Sequence, residues 1–202
     1  MVKQNGWDNT MKLSATSALV LLWARQDCYQ SDLSRKYLNL LDLSEGEPLY
    51  DRCKKIWPYY HEVIKNRKFG VFNLISDYFS GSDTQQLIMA GAGFDAMGIE
   101  TVDHFPSATV FELDRENMQT KSNLVKRVLN TDRHSIVHVE TDLTNSEDVR
   151  KRLIENGWDP EKPSLMLFEG ISYYLSMDSI KQLVETINPE QVVFEYLTAD
   201  ED

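Results

Sequence analysis

Apolar residues along this 202-residue chain follow two successive patterns. Up to about residue 80 they recur at helical spacing. Ser14 to Trp23 (SATSALVLLW) is mostly apolar behind a serine placed to cap it, and polar residues resume at Arg25, Gln26 and Asp27, which predicts a buried helix. Further helices are predicted over Ser34–Leu41, Leu49–Trp57 and Tyr59–Phe79. In the last of these, Val63, Phe69, Phe72, Ile75 and Phe79 form an apolar stripe among lysines and arginines, with an interruption expected near Gly70. The pattern breaks at the turn-rich Ser80, Gly81, Ser82 and Asp83.

Beyond this break, short apolar runs alternate with amphipathic segments. The runs are Gln86–Ala90, Ala108–Leu113, Ser135–Val139, Ser164–Phe168 and Gln191–Leu197. Helical segments Arg115–Leu129, Ser146–Asn156 and Asp178–Ile187 separate them, and a short segment at Phe94–Val102 fills the first gap. This alternation predicts βαβ units and an α/β fold, a doubly wound, mainly parallel Rossmann-like sheet covered on both faces. The expected organisation is a helical N-terminal segment, 1–85, leading into an α/β domain, 86–202.

Ligands of open parallel sheets bind beyond the carboxyl ends of the strands, so the residue after each predicted strand is the place to look for chemistry. The first strand is followed by Gly91-Ala92-Gly93-Phe94-Asp95, where glycines allow a tight turn and the close approach of a ligand to backbone. Asp114 follows the second, placed to accept the hydroxyl protons of a ribose. Glu140-Thr141-Asp142-Leu143 follows the third, a carboxylate and an apolar side chain suited to an adenine, and Glu169-Gly170 follows the fourth. A lone G-x-G is also an ordinary turn, and an aspartate after a strand an ordinary helix cap. Four such signals in the order a nucleoside requires point to a nucleoside-type cofactor.

Charge narrows the choice. The chain carries 21 basic and 32 acidic residues, a formal net charge of −11, which argues against a nucleic-acid partner. The excess is concentrated in residues 86–202. Gly91 to Ala96 also satisfies the relaxed dinucleotide pattern G-x-G-x-x-A, so an NAD-dependent oxidoreductase is a competing reading. Asp95, Glu112, Asp114, Glu140, Asp142 and Glu169 would, however, surround a pyrophosphate with negative charge. The same field favours the sulfonium and ammonium of S-adenosyl-L-methionine. Cys28 and Cys53 fit no metal-ligand spacing, so no metal site is expected, and two thiols suit a reducing compartment. No apolar run is long enough for a membrane span, and MVKQNGWDNTMK lacks a secretory apolar region. A cytoplasmic protein without a membrane partner is expected.

The run L-I-M-A-G-A-G-F-D (87–95), V-F-E-L-D (110–114), T-D-L (141–143) and L-F-E-G-I-S-Y-Y-L (167–175) resembles the leucine carboxyl methyltransferase family, which includes protein phosphatase methyltransferases and bacterial natural-product O-methyltransferases. The resemblance covers roughly Tyr59 to Leu197. It implies a class I methyltransferase fold with S-adenosyl-L-methionine as donor. It further implies Gly91 and Gly93 beneath the methionine part, Asp114 on the ribose, Asp142 and Leu143 on the adenine, and Glu169 near the donor's ammonium. An arginine on the helix before the first strand is implied to hold the donor's carboxylate. Arg67 fits that place, with Lys65 and Lys68 as close competitors and a solvated basic helix face as the other reading.

The implied acceptor is a carboxylate or hydroxyl of a small molecule, or a peptide carboxyl. A carboxylate needs no general base; for a hydroxyl the candidates are His61, His104, His138, Tyr173 and Tyr174. The tyrosines are the favoured pair, one expected to face the site while the other packs. Trp57, Tyr59 and Tyr60 are expected to pack in the core or to form a lid. Two departures from the family pattern stand out. Many members continue G-A-G-x-D-T-R, whereas this chain has Ala96 and Met97 in place of the threonine and arginine. The chain also lacks a recognisable helix and antiparallel strand pair after the fifth strand, so the expectation is either that the chain is a fragment or that this strand is an apolar edge covered by a partner, such as a second copy. A non-catalytic binding module that dimerises through this edge is the third reading.

Overall fold

The computed structural model describes residues 11–81, 86–129 and 135–196. The chain start, Ser82 and Asp83 of the predicted turn, and Leu197 of the predicted fifth strand lie outside these residues. A two-residue strand β1 (Met11–Lys12) precedes helix α1 (Ala15–Asp27), and α2 (Asp32–Leu38) leads to β2 (Leu41–Asp42), which pairs parallel with β1. These pairs are too short to show an alternating pattern, which is why the sequence does not betray them. Helices α3 (Glu47–Ile56) and α4 (Tyr60–Ser80) complete the helical part.

Strand β3 (Gln86–Ala90), helix α5 (Met97–His104), β4 (Thr109–Asp114), α6 (Met118–Val125), β5 (Ser135–Glu140), α7 (Ser146–Glu155), β6 (Ser164–Phe168), α8 (Met177–Ile187) and β7 (Gln191–Phe194) then alternate. The five long strands form one parallel sheet in the order β5-β4-β3-β6-β7. The order reverses at β3, so the clefts beyond β3, β4 and β6 are the topological switch point. Strands β3 and β6 are buried throughout, as expected for the centre of a doubly covered sheet. Leu87, Met89, Val110, Leu165 and Leu167 pack on one face with α1, α2, α4 and α5. Ile88, Ala90, Phe111, Met166 and Phe168 pack on the other with α7 and α8.

Three expectations are corrected. Helix α4 runs unbroken through Gly70, whose missing side chain faces open space. Burial of Ile64, Lys68, Val71, Ile75 and Phe79 along one stripe outweighs the roughly 1 kcal/mol that a helical glycine costs. Helix α6 begins only at Met118, because Asn117 adopts a left-handed conformation at φ 67°. Residues 115–117 thereby become a loop at the mouth of the switch point. Ser14 does occupy the N-cap of α1, but its hydroxyl donates to Ser17 Oγ at 3.1 Å and accepts no hydrogen bond from a backbone N–H of the helix.

The helical part is bolted to the sheet by carboxylates of α5. Buried Glu100 accepts from the backbone N–H groups of Gln30 (2.9 Å) and Ser31 (3.1 Å), at the start of α2. Ser31 Oγ donates to Asp103 at 2.6 Å and itself accepts from Leu33 N–H. Because buried donors left without an acceptor cost about 1–3 kcal/mol, Glu100→Ala is expected to lower the urea midpoint by a corresponding amount. An unchanged midpoint in equilibrium unfolding would show that water replaces the carboxylate.

Candidate active site

The register of the sheet aligns the strand ends. Ala90 pairs with Leu113 and with Phe168, Asp114 pairs with Glu140, and Phe168 pairs with Phe194. The residues that follow the strands therefore sit side by side along one edge, where they border a cavity of about 1030 Å³. Gly91, Gly93, Asp114, Asp142, Leu143 and Glu169 all line it, and so does Arg67 from α4.

The glycine turn is held from below. The N–H groups of Gly91 and Ala92 both donate to Leu113 O at 2.9 Å, and Gly91 has φ +74°. A side chain at Gly91 would meet Ile171 Cδ1 at 2.6 Å, whereas one at Gly93 would project into open space. Gly93 N–H donates to Asp114 Oδ2 at 2.8 Å, which joins the tips of β3 and β4. Asp142 Oδ1 accepts from Thr144 N–H (3.0 Å) and Thr144 Oγ1 (2.8 Å). Those two hydrogen bonds hold its carboxyl below the usual aspartate range.

On the other side of the glycine turn lies a buried ionic network. Arg67 Nε donates to Glu169 Oε1 at 3.1 Å, and its guanidinium lies 3.9 Å from Glu195 Oε1. Lys68, the next residue of α4, meets the same Glu169 oxygen at 2.8 Å and also pairs with Asp95 Oδ2. Asp95 Oδ1 accepts from Tyr29 Oη at 2.8 Å and from Met97 N–H at 2.7 Å. Glu195 Oε2 accepts from Gly170 N–H at 2.9 Å. Burial works against both charges of the Lys68–Asp95 pair, but the attraction outweighs it: the ammonium is held above its ordinary range and the carboxyl below. Burial, reinforced by Asp95, pushes the Tyr29 phenol well above the usual tyrosine range, so it stays a donor. Burial also pushes the Cys28 thiol up to about 11, with Lys68 opposing the shift. Cys28 and Cys53 are both free thiols, and no metal-binding group of histidines, cysteines and acids occurs among the described residues.

Several sequence expectations are revised here. Arg67 does not lie on a solvated face: it is only 20% exposed and points into the ionic network. Tyr173 and Tyr174 both line the mouth of the cavity and both are exposed, at 65% and 73%, so neither packs. The histidines do not reach the cavity. His61 turns to Pro58 O, His104 to Glu100 O, and His138 is buried against Glu112. Glu112 and Glu140 also leave the set of site acids. Glu112 sits within β4 and pairs with Lys121 and His138 inside the protein, and Glu140 receives Met118 N–H at 3.3 Å. Trp57 and Tyr60 line the cavity, while Tyr59 is exposed away from it.

Glu195 and Tyr29 are not legible as site residues, and Lys68 is legible only as a competitor of Arg67 for the donor's carboxylate, not as the partner of Asp95 and Glu169. Glu195 follows β7 as Glu169 follows β6, and an earlier end to the fifth strand would have revealed it. Met97, at the place of the motif arginine, is buried in α5, and the cation beside Asp95 comes from α4 instead.

A parallel α/β sheet with glycine turns and acids at its switch point is a Rossmann-like architecture. A dinucleotide is not favoured, because Asp95 already occupies the N-terminus of α5, where a pyrophosphate would rest. The sequence profile of leucine carboxyl methyltransferases matches residues 40–188, and the chain belongs to that family. It is 24% identical to a protein of Mycolicibacterium smegmatis over 91% of this chain and 62% of that protein. It is 33% identical to one of Mycobacteroides abscessus over 52% of this chain and 34% of that one. Both are provisionally named S-adenosyl-L-methionine-dependent methyltransferases. The fold is shared with a DUF574 family protein of Streptomyces avermitilis (TM-score 0.62, 15% identity, 86% of this chain and 64% of that one). It is also shared with a provisionally named methyltransferase of Thermobifida fusca (TM-score 0.55, 18% identity, 82% and 64%). The chain spans less than two thirds of the length of each of these proteins. No helix among the described residues is long and apolar enough to cross a membrane.

Proposed function

We propose that this chain forms the donor site and part of the acceptor site of an S-adenosyl-L-methionine-dependent O-methyltransferase. The observation that carries the reading is the convergence of Gly91, Gly93, Asp114, Asp142 and Glu169 on one cavity, with Gly93 bonded to Asp114 across two strand tips. The residues fit the donor chemically. Open space above Gly93 leaves room for a ligand against the backbone, and Asp114 supplies acceptors for ribose hydroxyls. Asp142 and Leu143 offer a carboxylate and an apolar contact for adenine. Arg67, Lys68, Asp95, Glu169 and Glu195 combine two cations with three carboxylates, leaving one net negative charge for a donor of net charge +1.

When bound, the donor brings a methyl group already activated by its sulfonium, so alignment of the acceptor and exclusion of water are what the protein must supply. The acceptor side is assigned to the helical part. Trp23 packs on Tyr60 at 4.7 Å between ring centroids, Tyr60 on Trp57 at 5.5 Å, and Leu19, Val20 and Ile56 extend the apolar wall. This wall suits a small apolar molecule carrying a carboxylate or hydroxyl better than a charged peptide. Tyr173 and Tyr174 at the mouth are assigned to contact with the acceptor, within reach of solvent for proton release.

Titration calorimetry with S-adenosylmethionine, S-adenosylhomocysteine and NADH tests the donor assignment. The first two are expected to bind and NADH is not; binding of NADH alone would overturn the reading. Asp114→Ala removes a charged acceptor worth about 1.5–3 kcal/mol, so donor affinity should fall roughly tenfold to a hundredfold while circular dichroism stays native.

A further inference from the structure

We propose that Lys68 is a positioning residue of the donor site, whose buried ammonium holds Asp95 and Glu169 together beneath the amino-acid end of the donor. The inference rests on the donor reading above. Lys68 is fully enclosed, with 3% of its side chain exposed, yet it stands in the wall of the cavity. Its two partners come from different strand tips: Asp95 from the turn after β3, and Glu169 from the end of β6. These strands are hydrogen-bonded neighbours, with Ala90 opposite Phe168. Without a cation between them, two desolvated carboxylates would repel, and either one would take up a proton or the tips would separate.

Arg67 cannot do this work, although it is adjacent. It meets Glu169 from the cavity side and extends towards Glu195; no ion pair joins it to Asp95. Both cations converge on Oε1 of Glu169, and no hydrogen bond or ion pair engages Oε2 among the described residues. That oxygen remains available to a ligand ammonium. The other end of the network is anchored in the helical part: Tyr29 donates to Asp95, and Tyr37 donates to Phe94 O at 3.2 Å. Lys68 therefore sets the spacing of the glycine turn and the Glu169 tip, and with it the pocket for an amino acid. Lys68 makes no ion pair with Asp114 or Asp142, on which the nucleoside pocket is built with Leu143, so its loss bears first on the amino-acid end.

This separation gives a test that a general loss of structure would not satisfy. Lys68→Met is compared with the wild-type chain for binding of S-adenosylmethionine, S-adenosylhomocysteine and 5′-methylthioadenosine, which keeps the nucleoside and thioether but has no amino-acid group. Affinity for the first two is expected to fall roughly thirtyfold or more, as for loss of a charge-assisted contact, with methylthioadenosine within about twofold of wild type. Lys68→Arg, which keeps the charge, is expected to recover part of the loss. If Lys68→Met does not fold, Lys68→Met/Asp95→Asn removes the cation and one carboxylate together, and the same selective loss is expected. Equal weakening of all three ligands, or no weakening, overturns the assignment of Lys68. A wild-type chain that binds none of the three overturns the donor reading and this inference with it.

Discussion

Gly91→Val is expected to abolish binding of S-adenosylmethionine and S-adenosylhomocysteine while leaving a folded protein. Gly91 has φ +74°, a region that costs an L-residue about 1–2 kcal/mol and a β-branched one more. The new side chain would also meet Ile171 at Cδ1 (2.6 Å), Cγ1 (2.9 Å) and Cβ (3.2 Å), so rotation of the isoleucine tip alone cannot relieve the contact. The turn has no freedom to retreat, because Gly91 and Ala92 are both bonded to Leu113 O. Strain and overpacking together amount to about 2–5 kcal/mol, less than the stability of a typical domain, so the damage falls on the turn and on Ile171, both in the cavity wall. Calorimetric titration alongside circular dichroism checks this. Gly93→Ala serves as the comparison: it also carries a positive φ, +47°, but its added methyl meets no protein atom within 4 Å, so it separates backbone strain and lost ligand space from the clash with Ile171. Wild-type affinity in Gly91→Val would place the turn outside the donor site.

Lys121→Met is expected to be the most destabilising single substitution away from the cavity. Lys121 Nζ lies 2.8 Å from Glu112 Oε2, and His138 Nε2 lies 3.1 Å from the same oxygen, with Lys121 and Glu112 fully buried. Glu112 Oε1 has no polar partner among the described residues and faces Gly98, where an added methyl would stand 2.3 Å from it. Removing one partner of a buried ion pair leaves an uncompensated charge and costs about 3–5 kcal/mol. Urea unfolding should show this loss for Lys121→Met, and a smaller one for Glu112→Leu/Lys121→Met, which removes both charges. A double variant less stable than the single would refute the ion-pair account.

The same cluster gives a pH dependence. Burial alone would raise the Glu112 carboxyl, but Lys121 and then His138 outweigh it and hold it below the ordinary glutamate range. A carboxyl depressed in the folded state contributes stability above its unfolded value and loses that contribution as pH falls through the folded one. Asp95, also depressed against Lys68, acts in the same direction. Stability should therefore fall on the acid side, below the ordinary carboxylate range. In Lys121→Met that acid slope should shrink, because Glu112 no longer holds its proton off more strongly than in the unfolded chain.

These two substitutions act on opposite sides of the sheet's logic. Gly91 lies at a strand tip, where backbone conformation decides what can approach. Glu112 lies two residues before the end of the neighbouring strand, where alternation turns a side chain into the packed layer and away from the switch point. A carboxylate in that layer needs its own cation, and Lys121 of α6 provides it.

The same alternation explains what was readable beforehand. Periodicity placed β3 and β6 residue for residue, because strands buried on both faces read as continuous apolar runs. The residue after the strand then gave Gly91 and Glu169. Asp114 is the last residue of its own strand, and Asp142 came from the stretch 140–143 only through the family resemblance. All lie on one edge because parallel strands in register bring their ends together. Hydrophobicity erred at Gly70, where a single glycine was too weak a signal to break a helix held by its buried stripe. It erred again at Arg115–Asn117, where a left-handed asparagine delays the start of the helix to Met118.

The sequence by itself determined the order of the longer elements, the parallel sheet they form and the strand-end acids and glycines, because each follows from local period and chain connectivity. Only the tertiary structure decided which charges share the site. It drew Lys68, Tyr29 and Glu195 to Asp95 and Glu169, and it turned Glu112, Glu140 and the histidines away. The physical reason is that a charged side chain looks the same in sequence whether water or an opposite charge solvates it. Its partner lies tens of residues away, and the fold alone brings the two together.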